Sequence, residues 1–346
     1  MKACVLEKLG QLVYRDVPTP EPKENEVLLQ VKACGICSSD LDRVFTTGAY
    51  HFPLIPGHEF AGKIVETGRC ADPAYLNRRA AVFPLLPCFH CAACQVGAYA
   101  RCENYNYFGS RCDGGFGEYI AVPVWNLVLF PDKIPYTTAA LCEPASVALH
   151  AVSAAPITPH DIVVIIGSGT IGLLAAMWAR LRGAKRGVIG GRGKAKTEFA
   201  RSLGFPDTVS SLETDVEAYL KELSGGAGAD VVLELVGSAG SVDTALRLVK
   251  KGGQVVLTGN PHGDIGLSRS SYWKILRGEL TLKGTWNSSF NSSVNDWQTV
   301  MTAFEKKAIQ PAPLITHRFP LRECKEAFDR LRKSQEAVVK VMFDME

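Results

Sequence analysis

Between residues 161 and 259 the chain alternates short apolar runs with helical ones, and that rhythm points to a parallel, doubly wound α/β sheet. The runs are DIVVIIG, a helical stretch at 170–181, RGVIG at 186–190, a helical stretch at 194–203, DVVLELVG, a further helix and QVVLTG. Directly after the first strand come Gly167, Gly169 and Gly172, with Thr170 and Ile171 between the last two. A lone G-x-G-x-x-G is a weak signal. Between a strand and a helix it predicts a dinucleotide site, whose pyrophosphate lies against backbone N–H groups at the positive end of the helix. The bland alternative is an ordinary strand-to-helix turn.

An NAD site usually carries an acidic residue about 20 positions further on, bonded to the adenine ribose. Here the strand at 186–190 runs into Gly191, Arg192, Gly193 and Lys194. With no carboxylate to repel a 2′-phosphate and an Arg192 guanidinium able to fork onto it, the expectation is NADP over NAD. The competing reading keeps Arg192 and Lys194 as solvated surface charges and NAD as an accepted cofactor.

At 346 residues the chain exceeds the size at which single cores stop growing, so two domains are expected. The first 60 residues read as irregular β structure, with a strand-like run at 26–33. The α/β rhythm ends near ELTLKGTW at 279–286. The tail that follows, closing on AVVKVMF, is too short to stand alone and is expected to rejoin the N-terminal part. The expected division is 1–151 with 287–346 as one domain and 152–286 as the dinucleotide domain. Thirty-eight basic against 35 acidic residues leave a net charge of +3, too little to imply a nucleic-acid or anionic-membrane partner. The N-terminus has no uninterrupted apolar core of the signal-peptide kind, and no run reaches the ~18 apolar residues of a membrane helix. A soluble cytoplasmic protein is therefore expected.

Eleven cysteines in such a chain suggest metal binding more than disulfides. Cys88, Cys91, Cys94 and Cys102 stand as C-x2-C-x2-C-x7-C, and four thiolates complete a tetrahedral zinc site that stabilises its loop and does no chemistry. An iron–sulfur cluster or unrelated thiols are the alternatives. His90, inside the cluster, is expected to be exposed. A second set is scattered: Cys37 in GICSSD, His58 and Glu59 in PGHEF, Glu143 in LCEPASV. Spacing alone does not join these, and each could be a core thiol, a satisfied histidine or a surface charge.

GICSSD, PGHEFAG, the four-cysteine loop, DGGFGEY, EPASVALH and GSGTIG occur in one order along the chain. In that series the chain resembles the zinc-containing polyol dehydrogenase branch of the medium-chain dehydrogenase/reductase superfamily. The resemblance implies a GroES-like β-rich catalytic domain beside the Rossmann domain, and an active site in the cleft between them. It implies two zinc ions per chain, the catalytic one held by Cys37, His58 and Glu143, with Glu59 adjacent and able to exchange as a ligand. Which of the two glutamates binds at rest stays open. An open fourth position lets zinc act as a Lewis acid on a substrate hydroxyl while hydride passes to the nicotinamide. By position, Ser39 would begin the proton relay and Asp40 would orient His58. Asp42 stands where some relatives carry a relay histidine, which puts the outer proton path in doubt.

FPLLPCFHCAAC, YFGSRCDGGFGEY and KILRGELTLKGTW resemble the members of the branch that oxidise a polyol phosphate to a ketose phosphate. A phosphate calls for cations, and Arg43, Arg111, Lys274 and Arg277 are the candidates. A neutral polyol, butanediol or another secondary alcohol is the rival substrate. A non-catalytic NADP-binding sensor and a nucleic-acid-binding zinc module are the readings from other classes. The sensor has no use for an open metal site, and the near-neutral charge opposes the zinc module. The resemblance further implies a homodimer or homotetramer.

Overall fold

The computed structural model describes residues 1–261, 263–333 and 336–345. The chain forms two compact units, Met1–Pro144 with Ser289–Glu346, and Ala145–Ser288.

In the first unit the strand Glu26–Ile36 is the axis of a seven-stranded sheet. Eight of the eleven residues in its sequence EVLLQVKACGI are buried, the polar Glu26, Gln30 and Lys32 being partly exposed, as befits a strand covered on both faces for most of its length. It pairs antiparallel with Glu59–Thr67 on one side and with Lys340–Asp344 on the other. The tail thus returns to the N-terminal region, as its length required. In register, Gly35 lies opposite Glu59, and Ile36 lies opposite Val341. The core around this sheet includes Phe116, which meets Phe328 and Phe343 edge-on at centroid distances of 6.0 and 4.9 Å.

Reading the first 60 residues as β structure missed the helix Ser38–Phe45. Its eight residues SSDLDRVF carry only one turn of apolar spacing, Leu41 with Val44 and Phe45, too little to stand out in a region otherwise rich in strand signals. What starts it is local: the Asp40 carboxylate reaches back to accept the Cys37 N–H at 3.0 Å. That bond seats Cys37 at the junction of the axial strand and the helix.

The second unit holds a six-stranded sheet in the order Thr208–Ser210, Arg186–Gly191, Ile162–Ile166, Ala229–Glu234, Val249–Leu257, Thr281–Gly284. Every pairing in it is parallel. The chain winds outward from Ile162–Ile166 one way, then crosses back and winds the other way from Ala229–Glu234. The carboxyl end of Ile162–Ile166 therefore lies at the switch point, where open α/β sheets bind ligands. The helix Thr170–Leu181 has the bounds that its sequence predicts. The expected strand at 279–286 is shorter, Thr281–Gly284, because Glu279 turns left-handed (φ 48°) to end the preceding helix. No described helix is long and apolar enough to cross a membrane.

Candidate active site

Cys37, His58 and Glu59 converge: one ligand atom from each lies within 4.8 Å of the other two. Cys37 precedes the helix Ser38–Phe45, while His58 and Glu59 stand where the chain enters the strand Glu59–Thr67. Antiparallel pairing brings the two segments side by side.

Glu59 does not merely face this centre. Its two oxygens accept from Lys340 Nζ at 2.7 and 2.6 Å, and that ammonium also donates to the Ile36 carbonyl at 3.1 Å. Glu59 and Lys340 reach each other across the axial strand, over Gly35. A Cβ at Gly35 would lie 2.1 Å from Glu59 Oε2, so the glycine of GICSSD leaves the gap that this ion pair fills. Lys340 is 3% exposed and Glu59 1%. Burial alone would lower the Lys340 ammonium, but the Glu59 carboxylate outweighs it and holds the group above its ordinary value. Sequence reasoning missed Lys340. The signal was present, a single charge inside the apolar run AVVKVMF, where a buried cation demands an anion.

Glu143 is outside the convergent set, although it is buried and accepts from the Tyr107 hydroxyl at 3.3 Å. Burial pushes its carboxyl up to about 7, against the opposing pull of His58. Asp40 is fully buried and is held by the Cys37 N–H and by Arg43 at 2.6 Å. Its Oδ1 lies 3.6 Å from His58 Nδ1, too far for a hydrogen bond. His58 Nδ1 is accordingly buried with no hydrogen-bond partner. Buried polar atoms are rarely left so. A thiol, an imidazole and a carboxylate whose ligand atoms lie this close together make a donor set suited to a zinc ion. Ser39 is half-buried on the first turn of the helix Ser38–Phe45.

The four cysteines of the loop also come together, all within 4.8 Å. Cys88 and Cys94 sulfurs are 3.9 Å apart, as are those of Cys91 and Cys102. Sulfurs at about 2.3 Å from a tetrahedral zinc would stand about 3.8 Å apart, whereas a disulfide needs about 2.05 Å. The spacing therefore fits a metal and not a disulfide. The Cys88 N–H donates to Cys102 Sγ at 3.3 Å. Hydrogen bonds from the backbone at Glu103 and Cys94 bring the Cys91 thiol down to about 6, which favours the ligating thiolate. His90 is exposed and turned to the Cys88 carbonyl at 2.7 Å.

In the second unit the glycine turn has the geometry that a dinucleotide needs. Gly167 has φ 125°, a conformation that side chains disfavour, and Gly169 caps the helix Thr170–Leu181. A Cβ on Gly172 would sit 1.8 Å from the Gly167 carbonyl, so the third glycine lets the helix pack against the turn. Thr170 and Ile171 open the helix between them. Gly191 ends the neighbouring strand, and a Cβ there would strike Ser168 Oγ at 2.2 Å. Arg192 is exposed, with no carboxylate partner among the described residues, whereas Lys194 pairs with Glu213 at 3.6 Å and Glu198 at 4.0 Å.

Two family models match the chain: the alcohol dehydrogenase GroES-like domain over residues 23–132 and the zinc-binding dehydrogenase over residues 170–306. Galactitol 1-phosphate 5-dehydrogenase of Escherichia coli K12 is 36% identical over 323 residues, 92% of either chain. A crystal structure of galactitol-1-phosphate dehydrogenase from Escherichia coli superposes with a TM-score of 0.92 at 34% identity, over 99% of this chain and all of that one. A zinc-binding dehydrogenase of Sinorhizobium meliloti 1021, solved with NADP, scores 0.91 at 31% identity, covering 99% and 98%. An alcohol dehydrogenase of Escherichia coli CFT073, solved with NADH, scores 0.91 at 26% identity, covering 99% of each chain. The chain belongs to the zinc-binding alcohol dehydrogenases of the medium-chain dehydrogenase/reductase superfamily, and is a nicotinamide-dependent dehydrogenase of alcohols or polyols.

Proposed function

We propose that this enzyme interconverts the secondary hydroxyl of a polyol phosphate such as galactitol 1-phosphate and the corresponding ketose phosphate, with NADP preferred to NAD. The observation that carries the chemistry is the convergence of Cys37, His58 and Glu59 in a chain that also has the glycine turn. The phosphorylated substrate is supported by the 36% identity to galactitol 1-phosphate 5-dehydrogenase across 92% of the chain.

In this reading two zinc ions bind. One is held by Cys88, Cys91, Cys94 and Cys102 and fixes their loop. The other is held by Cys37, His58 and either Glu59 or Glu143. Zinc bound there would supply the Lewis acidity that brings a hydroxyl's pKa towards neutrality, and a bound nicotinamide would supply the hydride acceptor. The protein's own groups do the rest. Asp40, braced by Arg43 and the Cys37 N–H, attracts the Nδ1 edge of the His58 ring and so sets its orientation. Lys340 holds Glu59 by both oxygens, whereas Glu143 accepts from the Tyr107 hydroxyl at 3.3 Å, which favours Glu143 as the freer carboxylate for the metal. Ser39, half-buried beside Cys37, takes the hydroxyl's proton outward towards solvent.

Gly167, Gly169, Thr170, Ile171 and Gly172 receive the pyrophosphate at the helix N-terminus. Arg192 beside Gly191 supports the NADP preference, because its charge is uncommitted where an NAD enzyme carries an acid. Lys194, already paired with Glu213, is the weaker contributor. The edge strand Thr281–Gly284, exposed along its length and bearing Leu282 at 40% exposure, supports a homodimer or homotetramer built through sheet edges.

Initial rates with galactitol 1-phosphate, galactitol, sorbitol and butanediol, each with NAD and NADP, test the reading. It predicts the highest kcat/KM for the phosphorylated polyol with NADP. A clear win for a neutral alcohol overturns the substrate, and a clear win for NAD overturns the role of Arg192.

A further inference from the structure

Four cations were candidates for a phosphate, and the structure treats them differently. Arg43 is ion-paired with the buried Asp40 at 2.6 Å and is itself only 13% exposed. Lys274 donates to the Arg247 carbonyl, and Arg277 lies over the Trp273 ring at 4.6 Å. Arg111 alone stands between two aromatic faces with its charge unanswered. Its guanidinium is 4.5 Å from the Tyr50 centroid and 4.4 Å from that of Tyr105. It has no carboxylate partner among the described residues. Asp113, two positions on, is turned to the Ile55 N–H at 2.8 Å. Arg79 is also stacked on two rings, but it pairs with Asp132 at 3.7 Å.

Arg111 is held in place. Its N–H donates to the Tyr107 carbonyl at 2.9 Å, and its own carbonyl is 3.2 Å from His51 Nε2. Among the described residues the guanidinium makes two hydrogen bonds, both long, to the Tyr50 hydroxyl at 3.4 Å and the Tyr105 carbonyl at 3.5 Å. Most of its donor fork is left for a ligand.

The same turn reaches the metal-ligand centre. Tyr107, whose carbonyl anchors Arg111, gives its hydroxyl to Glu143 and packs edge-on to His58 at 5.8 Å. Tyr105 meets Tyr107 at 6.3 Å. His58, Tyr107, Tyr105 and Arg111 thus form one continuous row, with the zinc-ligand set at one end and a stacked arginine at the other.

We propose that Arg111 is the specificity-determining residue for a phosphorylated polyol. Its guanidinium receives the phosphate while the reacting carbinol lies at the Cys37, His58 and Glu59 centre. This rests on the polyol-phosphate reading above and adds the residue that enforces it. Planar forked donors match phosphate oxygens, and the two tyrosines fix the fork in advance.

The test is kcat/KM of wild type, Arg111→Ala and Arg111→Lys for galactitol 1-phosphate and for the best neutral polyol, with thermal midpoints alongside. Losing a charge-assisted pair predicts that Arg111→Ala falls roughly 10- to 150-fold on the phosphate, mainly through KM. It should stay within about threefold of wild type on the neutral polyol, and Arg111→Lys should recover part of the loss. If wild type shows no preference for the phosphate, the functional reading fails and this inference with it. If wild type prefers the phosphate and Arg111→Ala keeps that preference, or loses both substrates alike, only the role of Arg111 is overturned. Should Arg111→Ala not fold, Arg111→Lys and Arg111→Gln carry the same comparison.

Discussion

Replacing Lys340 by methionine removes one half of an ion pair that is almost wholly excluded from water. The ammonium bonds both Glu59 oxygens at 2.7 and 2.6 Å and the Ile36 carbonyl at 3.1 Å, with 3% and 1% of the two residues exposed. Methionine matches the length and apolar stem, so packing is largely kept and the change isolates the charge. What remains is a buried carboxylate without its lysine, and breaking a buried pair in this way costs about 3–5 kcal/mol. For a domain of this size each kcal/mol moves the midpoint by about 2–4 °C, so Lys340→Met should unfold roughly 6–20 °C lower. Adding Glu59→Gln removes the stranded charge, so the double variant should recover much of that loss. The assay is a thermal double-mutant cycle on zinc-loaded protein followed by circular dichroism. A shift of Lys340→Met below about 2 °C, or strictly additive losses in the double variant, would refute the view that this pair braces the site.

Gly172→Ala places a Cβ against the Gly167 carbonyl at 1.8 Å, with no flexible atom to give way. It should weaken NADPH binding at least tenfold by fluorescence titration and cost about 1–3 kcal/mol of stability. Arg192→Ala should lower kcat/KM for NADP roughly 10- to 150-fold and leave NAD almost unaffected; equal effects on the two cofactors would remove Arg192 from the 2′-phosphate. Ser39→Ala should depress the rate of the hydride-transfer step while zinc content by mass spectrometry stays at the wild-type level. An unchanged single-turnover rate would take Ser39 out of the proton path.

The dinucleotide unit was legible because its signals are local. Continuous apolar strands, helical runs between them and three glycines at one turn each state their structure within a few residues, and the helix Thr170–Leu181 appears with the bounds expected. The four-cysteine cluster was legible for the same reason, since its ligands fall within one loop. The second cluster was not, because it depends on strand register. Cys37 meets His58 and Glu59 only through the pairing of Gly35 with Glu59, and no local pattern announces that pairing. Only the order of several motifs, compared with a known family, joined those residues. Lys340 lies 281 positions from Glu59 and fell outside that series, although a charge within an apolar strand already asked for a partner. The helix Ser38–Phe45 was hidden by its shortness, its start being fixed by one reach-back bond from Asp40.

The zinc content of wild type and of the Cys37→Ala and Cys91→Ala variants, measured beside their activity, addresses the central claim most directly. Two zinc ions per chain in wild type are expected. Cys37→Ala should hold one and lose activity with its midpoint little changed. Cys91→Ala should lose the other and unfold at lower temperature. Retention of both zinc ions and of full activity by Cys37→Ala would contradict the assignment of the catalytic centre.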